Sequence, residues 1–185
     1  MATVVVPFRS RAAKQRLELP EDARSGLAHS MLADVLRAAT AVGRTLLVTE
    51  RGADRARTLA GELQVEVVDD PGRGQGEAVA AALALVHEWP ALVVNADLPA
   101  VEPRDLLALL GAMPAEGLAL AAAPDGTTNA LALAGPGLFA PLYGPGSAQR
   151  FRDHAASRGV AAVDLVVPAL AADVDTVSEL EQLVS

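Results

Sequence analysis

Apolar residues in this chain come in short runs and helical stripes that alternate along its length. Val4-Val5-Val6 reads as a first strand, stopped by Pro7. A helix is predicted from about Pro20 to Ala41, with Leu27, Met31, Leu32, Val35 and Leu36 on one face. Thr45–Thr49 is a second strand, Ala53–Leu63 a helix and Val65–Val68 a third strand. The glycine-rich Asp69–Gly76 then opens a long helix, about Glu77 to Glu88. Leu92–Asn95 is the central strand, and Pro103 begins another helix at the position where a missing N–H costs nothing. Gly117–Ala122 and Asn129–Ala134 are further strands. Ser147 is a plausible N-cap for a helix ending near Gly159, Val163–Val167 a late strand, and Asp173-Val174-Asp175 the lead into a last helix, where Thr176 and Glu179 have capping-box spacing.

Alternation of this kind calls for an α/β fold with right-handed crossovers and a parallel sheet. The 185 residues suffice for one domain, residues 1–185, with a sizeable core. The run before Asp97 fits a strand buried on both faces. In open α/β sheets ligands gather at the carboxyl ends of strands. Asp97 therefore either caps the turn before the helix at Pro103 or offers its carboxylate to a site.

Composition narrows the field. Hydrophobic residues make up 51% and aromatics only 3%, so the core is Ala, Leu and Val. No apolar run approaches the roughly 20 residues of a membrane span. The N-terminus enters a strand directly, without the basic and apolar regions of a signal peptide, which favours a cytoplasmic setting. With no cysteine there is no disulfide framework, thiol nucleophile or thiolate metal site. The net charge of −8 argues against nucleic acid as a partner. Yet residues 1–57 hold 10 of the 15 basic groups, with Arg9, Arg11, Lys14 and Arg16 in one loop. A local basic loop on an acidic chain suits a small polyanion, unless it is only a solvated surface. Lys14, the one lysine among fourteen arginines, hints at a point charge placed at phosphate.

Several signatures are absent: there is no Walker A loop, no Gly-x-Gly-x-x-Gly fingerprint and no serine elbow. His29, His87 and His154 fall on predicted helices without metal-ligand spacing. Asp175 either caps the last helix or returns to meet Asp97. Two carboxylates so placed can hold a hard divalent cation that keeps waters for substrate phosphates. Gly74-Gln75-Gly76 offers backbone N–H groups and one amide at a helix start, able to read a base edge or hold ribose or phosphate. Gly144-Pro145-Gly146-Ser147 does the same for an anionic acceptor, though each could be a plain turn.

In order, Val5-Val6-Pro7 with Lys14-Gln15-Arg16-Leu17, Ala96-Asp97-Leu98-Pro99, Pro124-Asp125 with Thr128-Asn129-Ala130-Leu131, Tyr143-Gly144-Pro145-Gly146-Ser147 with His154, and Asp173-Val174-Asp175-Thr176 resemble the CofC/FbiD guanylyltransferases of deazaflavin coenzyme synthesis. The resemblance runs nearly end to end. Arg9 stands where that family usually has lysine, the Asp125–Thr128 loop is short, Tyr143 replaces phenylalanine, and Gly74-Gln75-Gly76 replaces a frequent Gly-Leu-Asn.

The resemblance implies a single nucleotidyltransferase domain, a GT-A-like, Rossmann-related three-layer sandwich with a mostly parallel sheet. It implies GMP transfer from GTP to the phosphate of a three-carbon phospho-acid, 2-phospho-L-lactate or phosphoenolpyruvate. Asp97 and Asp175 would bind Mg²⁺, with Asp173 a possible helper. Arg9, Lys14 and Arg16 would neutralise the β- and γ-phosphates, Gly74, Gln75 and Gly76 would hold the guanosine, and Thr128, Gly144 and Ser147 would grip the acceptor. Asp97, Asp175 and Lys14 would be the catalytic set, in a monomer or homodimer. A related transferase with a molybdopterin or sugar-phosphate acceptor, or a non-catalytic nucleotide-binding domain, is the alternative.

Overall fold

The computed structural model describes residues 1–9 and 20–171. A seven-stranded sheet has the order β3-β2-β1-β4-β6-β5-β7, built from β1 (Ala2–Pro7), β2 (Gly43–Thr49), β3 (Glu66–Asp69), β4 (Ala91–Val94), β5 (Leu118–Ala122), β6 (Thr128–Leu133) and β7 (Ala162–Asp164). β1 lies between β2 and β4 and is parallel to both. β6 alone runs against the rest, antiparallel to β4 on one side and to β5 on the other.

Side chains alternate across the strands, and each face buries its own set. Val4, Val6, Leu92, Val94, Ala130 and Ala132 pack on one face, beneath α1 (Glu21–Val42), α2 (Asp54–Glu62), α4 (Pro103–Ala112) and α6 (Pro168–Ala171). Val5, Leu46, Val93, Leu131 and Leu133 pack on the other, beneath α3 (Gln75–Leu83) and α5 (Ser147–Ser157). The result is the three-layer α/β sandwich the sequence led us to expect. No described helix is long and apolar enough to cross a membrane.

Local chemistry sets most boundaries. α4 starts with Pro103 in its first turn and a capping box in which the Glu102 N–H donates to Asp105 Oδ2 at 2.9 Å. The stripe of α1 centres on Ala28, Met31, Leu32, Val35 and Leu36, with Leu27 only half-buried.

Three expectations are corrected. α3 begins at Gln75 and ends at Leu83, where tight turns take over: the Leu85 N–H donates to Ala82 O and the Val86 N–H to Leu83 O. Buried Val86 continues the apolar spacing past the helix end, so periodicity alone overshoots, and His87 lies outside any helix. The late strand stops at Asp164, and Val166 is 88% exposed. Ser147 is not the N-cap of α5; Gly146 is, and the Ser147 hydroxyl turns sideways to donate to Thr128 Oγ1 at 3.1 Å. The helix expected after Asp175 lies outside the described residues.

Phe151 is fully buried and anchors α5, touching Phe139 and Tyr143. Phe151→Ala is expected to cost about 3–5 kcal/mol, lowering the melting temperature by roughly 6–20 °C in scanning calorimetry. A shift under about 3 °C would show that α5 is held by something else.

Candidate active site

The carboxyl end of β4 and the antiparallel start of β6 lie side by side, and this junction organises the site. The Asn95 N–H extends the ladder one residue past β4 by donating to Asn129 O at 2.9 Å. Its side chain then serves three groups: Nδ2 donates to Thr128 O at 3.2 Å and to Asn129 Oδ1 at 3.3 Å, while Oδ1 accepts from Gln75 Nε2 at 2.7 Å.

A backbone carbonyl can only accept, so Thr128 O fixes which way round the Asn95 amide lies. Turning that amide over would set two oxygens against each other. Asn129 must therefore show its oxygen to Asn95, and its own Nδ2 is buried with no hydrogen-bond partner among the described residues. Such an orphaned donor costs about 1–3 kcal/mol. The fold accepts that cost to hold Asn95 in place.

Gln75 opens α3, and around it lies a cavity of about 390 Å³ lined by Arg73, Gly74, Gln75, Gly76, Glu77, Pro141, Tyr143 and Gly144. Both glycine turns singled out in the sequence thus border one space. A Cβ on Gly76 would sit 2.7 Å from Pro141 Cβ and 2.8 Å from its Cα, so only glycine lets the two turns approach so closely. Gly144 has φ +112°, open to glycine at little cost.

Arg150 fastens the second turn. Its Nε and Nη2 donate to Leu142 O at 3.1 and 2.7 Å, Nη2 also reaches Tyr143 O, and Nη1 reaches Pro145 O. Burial pushes the Tyr143 phenol above its ordinary pKa, which keeps it neutral.

Thr128 and Ser147 are 1% and 0% exposed and bonded to each other, so their hydroxyls tie β6 to α5. The Ala148 N–H donates to Gly126 O at 3.2 Å and fastens the preceding turn to the same helix. Arg9 is held by Asp70: Nε donates to Oδ2 at 2.6 Å and Nη2 to Oδ1 at 3.1 Å. Asp70 Oδ1 also accepts from the Gly72 N–H at 2.7 Å, so the pair shapes the glycine loop as well as placing a cation.

Asp97 occupies the turn directly after β4, half-buried, with Oδ1 fully enclosed. Its carboxylate is the hard oxygen donor that a divalent cation favours, and such an ion needs only one or two protein carboxylates when substrate phosphates supply the rest. The donor chemistry therefore fits. Among the described residues no group of three His, Cys, Asp or Glu forms a metal cluster. Lys14, Arg16, Asp173 and Asp175 lie outside the described residues.

Sequence reasoning passed over Asn95, Asn129, Asp70 and Arg150 as site builders. A polar residue closing an apolar strand run was the available signal for Asn95. Arg150 offered none, because its partners are carbonyls that no side-chain pattern reveals.

Along residues 2–184 the chain matches the family described as guanylyl transferase CofC like. It is 39% identical to a phosphoenolpyruvate guanylyltransferase of Streptomyces scabiei, across 96% of this chain and 88% of the relative. It is 35% identical to a 2-phospho-L-lactate guanylyltransferase of Natrialba magadii, across 97% of this chain and 82% of that one. A crystal structure from Desulfovibrio desulfuricans, assigned as a nucleotide-diphospho-sugar transferase, superposes with a TM-score of 0.82 at 17% identity, covering 98% of this chain and 85% of the other. At that identity the likeness is one of fold.

Burial alone would raise the Asp70 carboxyl, but the Arg9 hydrogen bonds and charge, with the Gly72 N–H, hold it below its ordinary value of 3.8. A depressed folded pKa stabilises the native state above the unfolded value and loses that contribution as pH falls through the folded one. Melting temperatures taken downward from about pH 5 should therefore fall for the wild type below about pH 4, with a shallower fall in Asp70→Asn. Parallel acid limbs for the two proteins would contradict the pairing.

Proposed function

The chain belongs to the CofC-like guanylyl transferase family and is a nucleotidyltransferase, and we propose that it moves GMP from GTP to the phosphate of a three-carbon phospho-carboxylic acid, 2-phospho-L-lactate or phosphoenolpyruvate. The observation that carries this reading is the shared cavity: the turn suited to a nucleoside and the turn suited to an anionic acceptor border one space of about 390 Å³. Both relatives described above bear those two acceptors in their names.

In the reaction, an acceptor phosphate oxygen bonds to the α-phosphorus of GTP while the bond from that phosphorus to the α–β bridging oxygen breaks. Pyrophosphate leaves with the electron pair. The acceptor is already an anion, so no protein nucleophile or general base is needed, and positioning with charge stabilisation carries the rate. Gln75 and the backbone of Gly74 and Gly76 hold the guanosine. Gly144 presents its N–H to the acceptor, and Thr128 and Ser147, bonded to each other through their hydroxyls, hold the turn that carries it. Lys14 and Arg16 are the cations that would neutralise the β- and γ-phosphates. Arg9 assists them while its link to Asp70 keeps the glycine loop in place.

Asp97 and Asp175 are the carboxylates that would hold Mg²⁺, with Asp173 a possible helper. When bound, that ion neutralises phosphate charge and aligns the reacting groups. Both substrates are water-soluble phosphates, which suits a cytoplasmic enzyme acting as a monomer or homodimer, with neither nucleic acid nor membrane in the reaction.

Pyrophosphate release should appear with GTP, magnesium and one of the two phospho-acids. It should be far weaker with the other three nucleoside triphosphates or with 3-phosphoglycerate. Asp97→Asn should keep the fold by circular dichroism and lose at least about 100-fold in turnover. Activity within a few-fold of wild type would remove Asp97 from the site.

A further inference from the structure

Gln75 lines the cavity with one amide proton already given to Asn95 Oδ1 at 2.7 Å. Asn95 can only accept there, because its Nδ2 is committed to Thr128 O and Asn129 Oδ1. The Gln75 amide is therefore held one way round by a chain of contacts that starts at a backbone carbonyl. A glutamine amide free to turn over pairs with either purine. Its carbonyl accepts guanine N1–H while Nε2 donates to O6, or, turned over, the carbonyl accepts from adenine N6 while Nε2 donates to N1. An amide held one way serves only one of them at a given placement of the ring.

We infer that Asn95 is a positioning residue that sets base selectivity: by pinning Gln75 it makes the cavity accept guanine and refuse adenine. This rests on the guanosine reading of the Gly74–Gly76 turn given above. Asn95 touches neither substrate in this account and acts through Gln75. A leucine at 95 would fill similar space but leave Gln75 unpinned.

The test is calorimetric binding of GTP and of ATP, without acceptor, to the wild type and three variants. Wild type should bind GTP at least about tenfold more tightly than ATP. Asn95→Ala frees the amide, so the GTP-to-ATP ratio should fall by about tenfold. Asn95→Asp keeps an acceptor for Gln75 but sets an oxygen against Thr128 O, so both affinities should drop while the ratio stays above that of Asn95→Ala. A merely structural Asn95 would lower both affinities in step and leave the ratio alone; an unchanged ratio in a folded Asn95→Ala overturns the inference.

Should Asn95→Ala fail to fold, Gln75→Leu removes the reader itself and should level the two purines. A wild-type ratio in that variant also overturns the inference. Wild type that binds both purines equally refutes the pin while leaving guanylyl transfer standing. Wild type that binds neither refutes the guanosine reading and this inference with it.

Discussion

A backbone carbonyl at the start of β6 has to be given a donor, and the site takes its form from how that is done. Because β6 runs against β4, Thr128 O and Asn129 come alongside Asn95 just where β4 ends. An amide is the side chain that can satisfy the carbonyl with one arm and still present an acceptor with the other. That second arm reaches Gln75 at the start of α3, and Thr128 reaches Ser147 at the start of α5 through their hydroxyls. One polar line thus joins the starts of two helices across the sheet, inside an otherwise apolar layer. Buried polar networks of this kind hold a unique arrangement when satisfied. The orphaned Asn129 Nδ2 marks a place along this line where satisfaction was given up for polarity.

Charge contributes shape around this line as well as attraction. Two cations near the site are engaged by the protein itself: Arg9 by a carboxylate whose side chain is 1% exposed, and Arg150 by the carbonyls of the Leu142–Pro145 turn. A pair whose carboxylate is so enclosed holds geometry better than a fully exposed ion pair, which is typically worth under about 1 kcal/mol. The glycine loops on either side of the cavity are therefore clamped from behind, which keeps their N–H groups in fixed positions. Preorganised donors cost no reorganisation when charge develops.

Much of the architecture was legible from hydrophobic spacing. The alternation of strands and helices, the helix start at Pro103 and the buried run of β4 all follow from period and punctuation. What periodicity could not supply was anything settled by partners distant in the chain. Val86 keeps the apolar rhythm after α3 has ended, so the helix looked longer than it is. Ser147 has the composition of a cap, yet a hydroxyl 19 residues away competes for its own. The Arg9–Asp70 link spans 61 positions, and neither residue signals it. The glycines of both turns were readable as loops, but only the Gly76–Pro141 approach shows that they face a common space. The facing of Asp97 and Asp175, on which the metal reading leans, concerns a segment beyond the described residues.

The most direct test is a crystal structure with a GTP analogue whose α–β bridging oxygen is replaced by methylene. We expect the guanine edge against Gln75, with O6 and N1 in hydrogen-bond range of its amide, and the α-phosphate on the Asp97 side of the cavity. A base seated elsewhere, or an α-phosphate remote from both Asp97 and the Gly144 turn, would contradict the account.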